Sequence, residues 1–346
     1  MQGNLVVKNK SEVYDIINRG FLRTQNWYEL PHGQNLKTSW NLLWTWAKPQ
    51  IDFNKLIYFQ KVNHFPQNKN LARKDLLRKN VDRLKRLGPK AEEEFNILPL
   101  TFILPKEYTN FSEEFHKQKY QDPKNNIWII KPIGKSRGRG IQVVSEISQV
   151  VYSEPVVVQK YIPNPLLIRG YKFDLGICWE KIWSQIEEIC VKSLIACQQD
   201  IPNNPNCFEI FGYDIFIDTN EKCSLIEINS SPSLAREFIL DDLVKQQLID
   251  DTIALVDPII FDRKRLLDVL ERRIKETQGQ KSTINTQNNS KQQLNRDLNY
   301  ILDCKKIRKY GELPQNMGNF IRIAPSPLYN KLIKIINQYK QGNHVQ

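Results

Sequence analysis

Asp214, Glu227 and Asn229 are the side chains of this sequence whose types and spacing point most directly to chemistry. They lie in NCFEIFGYDIFIDTNEKCSLIEINSSPS, residues 206–233, within two apolar runs that read as strands joined by a polar turn over 218–222. Residues two apart on a strand face the same way, so Glu227 and Asn229 project together, and a hairpin can bring Asp214 beside them. Such an all-oxygen set suits Mg2+ held between protein and phosphate. The same carboxylates also suit strand ends or pairing with surface bases, and the hairpin alone leaves both readings open.

Further candidates lie upstream. NIWIIKP reads as a buried strand carrying Lys131, and IGKSRGRGIQVV follows at once. Gly134, Gly138 and Gly140 with Ser136, Arg137 and Arg139 make a flexible hairpin rich in donors, whose backbone amides can wrap phosphate oxygens. It is not a P-loop, because the GxxxxGK[ST] spacing and the following helix are missing, and by itself a Gly/Arg loop between strands is more often just a turn. PVVVQKYI is a second buried strand whose polar end, Gln159-Lys160, can hydrogen-bond an adenine edge. Lys172 and Asp174 then fall two apart on one strand face.

Several elements must position these groups. Leu71, Leu76, Leu77, Val81 and Leu84 recur at helical spacing with Arg73, Lys74, Arg78, Lys79 and Lys85 on other faces, a basic amphipathic helix ended by Gly88-Pro89. Residues 95–105 read as a strand, 179–198 as a helix with an apolar core stripe, and Ser233 as the cap of a helix running through Leu255. Residues 277–293, TQGQKSTINTQNNSKQQ, are polar and of low complexity, which predicts a disordered excursion before apolar content returns and docks back.

Composition sets bounds. The chain has 346 residues, 40% hydrophobic and 25% charged, as ordinary globular domains do. No apolar run of about 18 residues occurs and the first residues lack a signal-peptide core, so a cytosolic protein with no membrane partner is expected. The six cysteines form no CxxC pair, which disfavours a zinc site or disulfide framework. Net charge is +12, concentrated in residues 61–90, with 10 Lys/Arg against 2 Asp/Glu, and in 258–346, with 17 against 7. Two basic segments around an acidic centre suit a polyanionic partner. Nucleic acid is not the expected one, since no RRM, KH or zinc-finger pattern occurs.

Taken together and in order, NHFPQNKNLARKDLLRKN, FNILPLTFILP, WIIKPIGKSRGRGI, VVVQKYIPNPLLIRGYKFDL, NCFEIFGYDIFID and LIEINSSPSL resemble the tubulin-tyrosine ligase-like family over roughly residues 55–257. The resemblance implies an α+β, ATP-grasp fold of antiparallel sheets flanked by helices, with a small N-terminal α/β lobe. The expected division is 1–60 for that lobe, 61–150 for a central lobe with the basic helix and phosphate-covering loop, 151–257 for a C-terminal lobe with the magnesium site, and 258–346 for a basic extension. ATP and Mg2+ are the implied cofactors. Lys74 and Lys131 would meet phosphate, Ser136, Arg137, Gly138, Arg139 and Gly140 would cover it, and Gln159, Lys160, Tyr161 and Ile162 would form the adenine hinge. Lys172 and Asp174 would line the nucleotide and acceptor cleft, and Asp214, Glu227 and Asn229 would bind the metal.

The family reaction implied is ligation of an amino acid, here glutamate, onto the acidic tails of tubulin through an acyl-phosphate. The expected actor is a monomer in the cytoplasm and cytoskeleton, the cilium or basal body included. Glycylation and tyrosination stay open. One departure bears on turnover: Gly176 stands where the pattern after KFD has an arginine. The chain then runs from Ile177 straight into CWEKIWSQIEEICVKSL, without several dozen family residues that include a second arginine and a His-Leu-Thr-Asn block. That favours, as the alternative, a pseudo-ligase that binds nucleotide and microtubules.

Overall fold

Two β-branched runs, WIIKP and VVVQK, fill the middle of a sheet because every residue that turns inward on them is apolar or finds a polar partner. The computed structural model describes residues 3–8, 11–23, 27–29, 40–134, 138–166, 179–279, 287–304, 307–309 and 311–342. In chain order its elements are β1 (Gly3–Lys8), α1 (Ser11–Leu22), β2 (Trp27–Glu29), β3 (Leu42–Thr45), β4 (Lys61–Val62), α2 (Lys69–Ala72), α3 (Lys74–Lys85), α4 (Pro89–Glu94), β5 (Thr101–Leu104) and α5 (Tyr108–Gln121). There follow β6 (Trp128–Pro132), β7 (Gln142–Val144), β8 (Val156–Lys160), α6 (Trp179–Cys197), β9 (Gly212–Ile217), β10 (Cys223–Asn229), α7 (Ile239–Val256), α8 (Arg263–Gly279), α9 (Gln287–Ile301) and α10 (Pro327–Gly342).

These elements fall into two compact units, each drawn from three stretches of chain. The first comprises 1–65, 203–210 and 233–321. Its parallel sheet, in the order β2-β1-β3-β4, packs Leu5, Leu42 and Trp44 against Ile16, Ile17 and Phe21 of α1 and Ile249 and Ile253 of α7. Residues 205–208 join this unit because Val62 donates to Asn206 O and accepts from Phe208 N. A buried pair fastens the same seam: His64 Nδ1 lies 2.9 Å from Glu209 Oε1 and Nε2 lies 2.9 Å from Thr45 O, so both ring nitrogens face acceptors.

The second unit comprises 66–202, 211–232 and 322–346 and carries the candidate site. Its sheet, in the order β5-β8-β6-β7, is antiparallel throughout, and β9 and β10 form a separate antiparallel hairpin. The core of this unit joins Leu77, Val81 and Leu84 of α3 to Ile182, Ile189 and Ile195 of α6, Leu225 and Ile228 of β10, and Leu332 and Ile336 of α10. The apolar stretch near the C-terminus thus docks back as expected. A second cluster, around Trp128, Phe111 and Phe115, covers the other side of the sheet.

Three local expectations change. The basic helix is broken at Arg73, whose extended backbone (φ −83, ψ 127) separates α2 from α3. Ser233 does not cap α7: its hydroxyl accepts from Ala235 N, and the helix begins after Phe238, where Asp241 accepts from the Glu237 and Phe238 amides. Of the stretch 277–293 expected to be disordered, residues 277–279 and 287–293 are helical and 280–286 lie outside the described residues. There α8 and α9 are held together by Arg272 and Arg273, which both bond the buried Asp297 carboxylate.

Candidate active site

Strand register places the cleft residues. Thr101 lies directly opposite Gln159 in the β5–β8 pairing, while Gln159 opposes Ile129 and Lys131 opposes Val157 in the β6–β8 pairing. Thr101, Gln159 and Lys131 therefore share one face of the sheet, the last two as diagonal neighbours within reach of long side chains. They form a relay. Lys131 Nζ donates to Gln159 Oε1 at 2.8 Å, Gln159 Nε2 donates to Thr101 Oγ1 at 3.1 Å, and the Thr101 hydroxyl donates to Pro99 O at 2.6 Å. Because the single hydroxyl proton is given to Pro99, Thr101 can only accept from Gln159, which fixes the orientation of the amide.

The hairpin contributes the acidic side. Its turn is built by Asp218, whose Oδ1 accepts from Asn220 N and Lys222 N, with Glu221 in a left-handed conformation at φ 59. Leu225 pairs with Ile215, but Glu227 pairs with Asp214, so Ile226 is the extra residue of a β-bulge. The bulge sets Glu227 opposite Asp214, and Asn229, opposite Gly212, follows on the same face. Asn229 Nδ2 lies 3.4 Å from Asp214 Oδ2 and 3.5 Å from Glu227 Oε1. Lys74, the first residue of α3, places Nζ 2.5 Å from Glu227 Oε2.

Charges within this cluster bias one another. Burial, with the adjoining Glu227, pushes the Asp214 carboxyl up from its ordinary range. Burial alone would raise Glu227 as well, but the bonded Lys74 ammonium holds it below the usual carboxylate range. Burial drives Lys131 down to about 8, and the charge of Lys74 adds to that against the pull of Glu227 and Asp214. Lys74, Arg78, Thr101, Lys131, Gln159 and Glu227 close on a cavity of about 10 Å3, roughly one water in size. Beside it is a cavity of about 440 Å3 that shares Arg78, Leu98 and Thr101 and also takes in Lys160, Ile162 and Ser224.

The sequence-derived residues are thus brought together in part. Lys74, Lys131, Gln159, Asp214, Glu227 and Asn229 converge. Lys160 projects from the opposite face to Gln159, where its ammonium donates to Asn125 O at 2.8 Å and stands 5.1 Å from the centre of the Trp128 ring. Tyr161 and Ile162 follow the strand, with Ile162 on the larger cavity. Gly138 and Gly140 take positive φ, 71 and 74, on either side of Arg139 in the turn before β7. Ser136, Arg137, Lys172 and Asp174 lie outside the described residues. Thr101 and Arg78 also line the cleft, although neither is among the site residues that the sequence suggests. A signal existed for Arg78, which stands four residues after Lys74 on one helix face.

The two carboxylates side by side on adjacent strands suit a hard divalent cation, with Asp214 bearing the cost of burial beside a second acid; Asn229, whose amide nitrogen faces both, would add its oxygen once the amide turns over. Among the described residues no cluster of three or more His, Cys, Asp and Glu occurs.

Sheet, hairpin and charged cleft define an α+β protein with a candidate site for a metal and an anion. A model of the Tubulin-tyrosine ligase family matches residues 53–178 and 176–266, and the chain belongs to that family. The match comes in two pieces that meet at 176–178. Among its relatives, the chain is 29% identical to the probable tubulin polyglutamylase TTLL2 of Homo sapiens, over 68% of this chain and 53% of the relative. It is 29% identical to the tubulin polyglutamylase TTLL5 of Homo sapiens, over 65% and 24%, and 27% identical to the tubulin polyglutamylase ttll6 of Danio rerio, over 83% and 46%. The chain therefore spans about half or less of the length of these relatives. The alignment to TTLL2 runs over 315 residues yet takes in only 68% of this chain, so that relative carries several dozen residues without a counterpart here.

Proposed function

We propose that this chain is an ATP-dependent protein–amino acid ligase of ATP-grasp fold that adds glutamate to the acidic tails of tubulin through an acyl-phosphate. The observation that carries the reading is the meeting of Lys74, Lys131, Asp214, Glu227 and Asn229 in one cleft. Joining a carboxylate to an amine with ATP requires two anions to approach, so a site for it needs fixed cations facing a metal-binding acid pair. Asp214, Glu227 and Asn229 would hold Mg2+, and Lys74 and Lys131 would neutralise phosphate oxygens. The bound metal would supply further charge neutralisation at the phosphates. Thr101 and Gln159 would keep the Lys131 ammonium aimed, and the larger cavity at Ile162 lies within the size range of small-ligand sites. Lys172 and Asp174 are assigned to the acceptor side, and Ser136 to Gly140 to covering phosphate.

The basic segments favour an acidic acceptor, and the printed activities of the relatives favour glutamate over glycine or tyrosine. Action on tubulin would put the protein at the cytoskeleton. No described helix is long and apolar enough to cross a membrane. A second reading, a pseudo-ligase that binds nucleotide with little turnover, is favoured by Gly176 and by the two-piece family match. Calorimetric titration with ATP and Mg2+ tests what both readings share. Binding by the wild type that is lost in Glu227→Gln supports the site, and absence of binding by the wild type overturns it.

A further inference from the structure

A different cavity, of about 330 Å3, lies wholly within the unit built on the parallel sheet. Its walls come from the edge strand β4, from residues 205–208 running beside it, from the end of α7, and from Leu302, residues 307–309, Gly311 and Glu312. Phe208, Leu255, Ile259, Leu302 and Ile307 give it an apolar body. Three cations, the half-buried Lys61 and Arg308 and the exposed Lys309, share its lining.

Lys61 Nζ donates to Pro205 O at 2.6 Å and Arg308 Nη2 donates to Leu255 O, and neither has a carboxylate partner among the described residues. Glu312, on the same wall, accepts from the Lys309 amide, and Asp257 is exposed. The adjoining Cys207 thiol, which burial pushes up to about 12, stays neutral and offers no compensation. Burial lowers the Lys61 ammonium from its ordinary range and the Arg308 charge lowers it further. Two half-buried cations that repel each other beside apolar walls are costly unless an anion joins them.

We propose that this cavity binds a small organic anion, an apolar body ending in one carboxylate or phosphate group, with the charged end at Lys61 and Arg308 and the body against Phe208, Leu255, Ile259 and Leu302. Such a ligand replaces two carbonyl contacts by charge-assisted bonds while burying apolar surface. The site is separate from the residues assigned to ATP, so its occupancy is independent of that assignment.

Anilinonaphthalene sulfonate, an aromatic body with a single anionic group, serves as the probe with the full-length wild type. It is expected to bind at one site and to be displaced by decanoate or decyl phosphate but not by decanol. The stronger of the two anions identifies the head group. Lys61→Gln and Arg308→Gln are each expected to weaken the probe about tenfold, as loss of one charge-assisted bond does. Lys264→Gln, an exposed charge on α8, should change nothing. The proposal is overturned if decanol competes as well as decanoate, a comparison that needs no variant. It is equally overturned if the two Gln variants bind like the wild type, which would put the dye on the exposed Phe238, Ile239 and Leu240 surface of α7.

Discussion

Lys74 Nζ and Glu227 Oε2 stand 2.5 Å apart, joining the first residue of α3 to the bulged edge of β10. Each side chain is about a quarter exposed, at 20% and 27%, so the pair is only partly screened by solvent. Removing the cation leaves Glu227 beside Asp214 with only the Lys131 charge and the Asn229 amide to offset their repulsion. For Lys74→Met we expect a loss of about 10² to 10³ in ligation rate, the scale of one preorganised charge. Single-turnover incorporation assays on wild type and variant check it.

The Thr101 relay makes a gentler prediction. Thr101→Val removes the acceptor for Gln159 Nε2 and frees the amide to turn, so Lys131 loses its fixed partner. One lost hydrogen bond of about 1 kcal/mol corresponds to roughly fivefold weaker ATP binding. Thr101→Ser, which keeps the hydroxyl, should restore the wild-type affinity. Equal affinities for Val and wild type would show that the relay does not position Lys131.

Lys131 also sets a pH dependence. Its ammonium, driven down to about 8 by burial, is protonated at pH 7 and mostly neutral at pH 9. Only the protonated form attracts phosphate, so ATP affinity should fall as pH rises through 8, by about tenfold between pH 7 and 9. Lys131→Met should bind weakly with a flat profile over the same range. Titration of ATP into both proteins at several pH values measures this.

Glu94 anchors the C-terminal helix. Its carboxylate bonds Lys331 of α10 at 2.8 Å and Lys192 of α6 at 3.1 Å. Burial works to raise it, but the two lysines hold it below the usual carboxylate range. A depressed carboxyl contributes stability that is present above its unfolded pKa and is lost as pH falls through its folded value. Glu94→Gln should therefore cost about 1–3 kcal/mol at pH 7 and much less in acid. Urea unfolding at neutral and acid pH reads the difference.

Much of this site is legible in the sequence because strand alternation is strict: Glu227 and Asn229 had to share a face, and Lys131 had to end a buried strand. The bulge at Ile226 was not legible, since Ile-Glu-Ile-Asn alternates equally well in either register. Had pairing run on from Leu225 and Ile215, Ile226 would oppose Asp214. The same alternation sends Lys160 away from Gln159, which a reading of the two as neighbours in one hinge overlooks. The helices over 277–279 and 287–293 escaped a compositional reading because Arg272, Arg273 and Asp297, all outside that stretch, supply the contacts that hold α8 to α9. The two-unit division escaped for a related reason. Strand pairing of Val62 with Cys207 and packing of α7 on α1 join stretches far apart in the chain.

The ligase reading rests most directly on transfer of an amino acid. Purified wild type and Glu227→Gln, each given ATP, Mg2+, tubulin and radiolabelled glutamate, should differ, with label entering tubulin only for the wild type. Wild-type incorporation no greater than that of Glu227→Gln would contradict the ligase and leave a protein that binds nucleotide without turning it over.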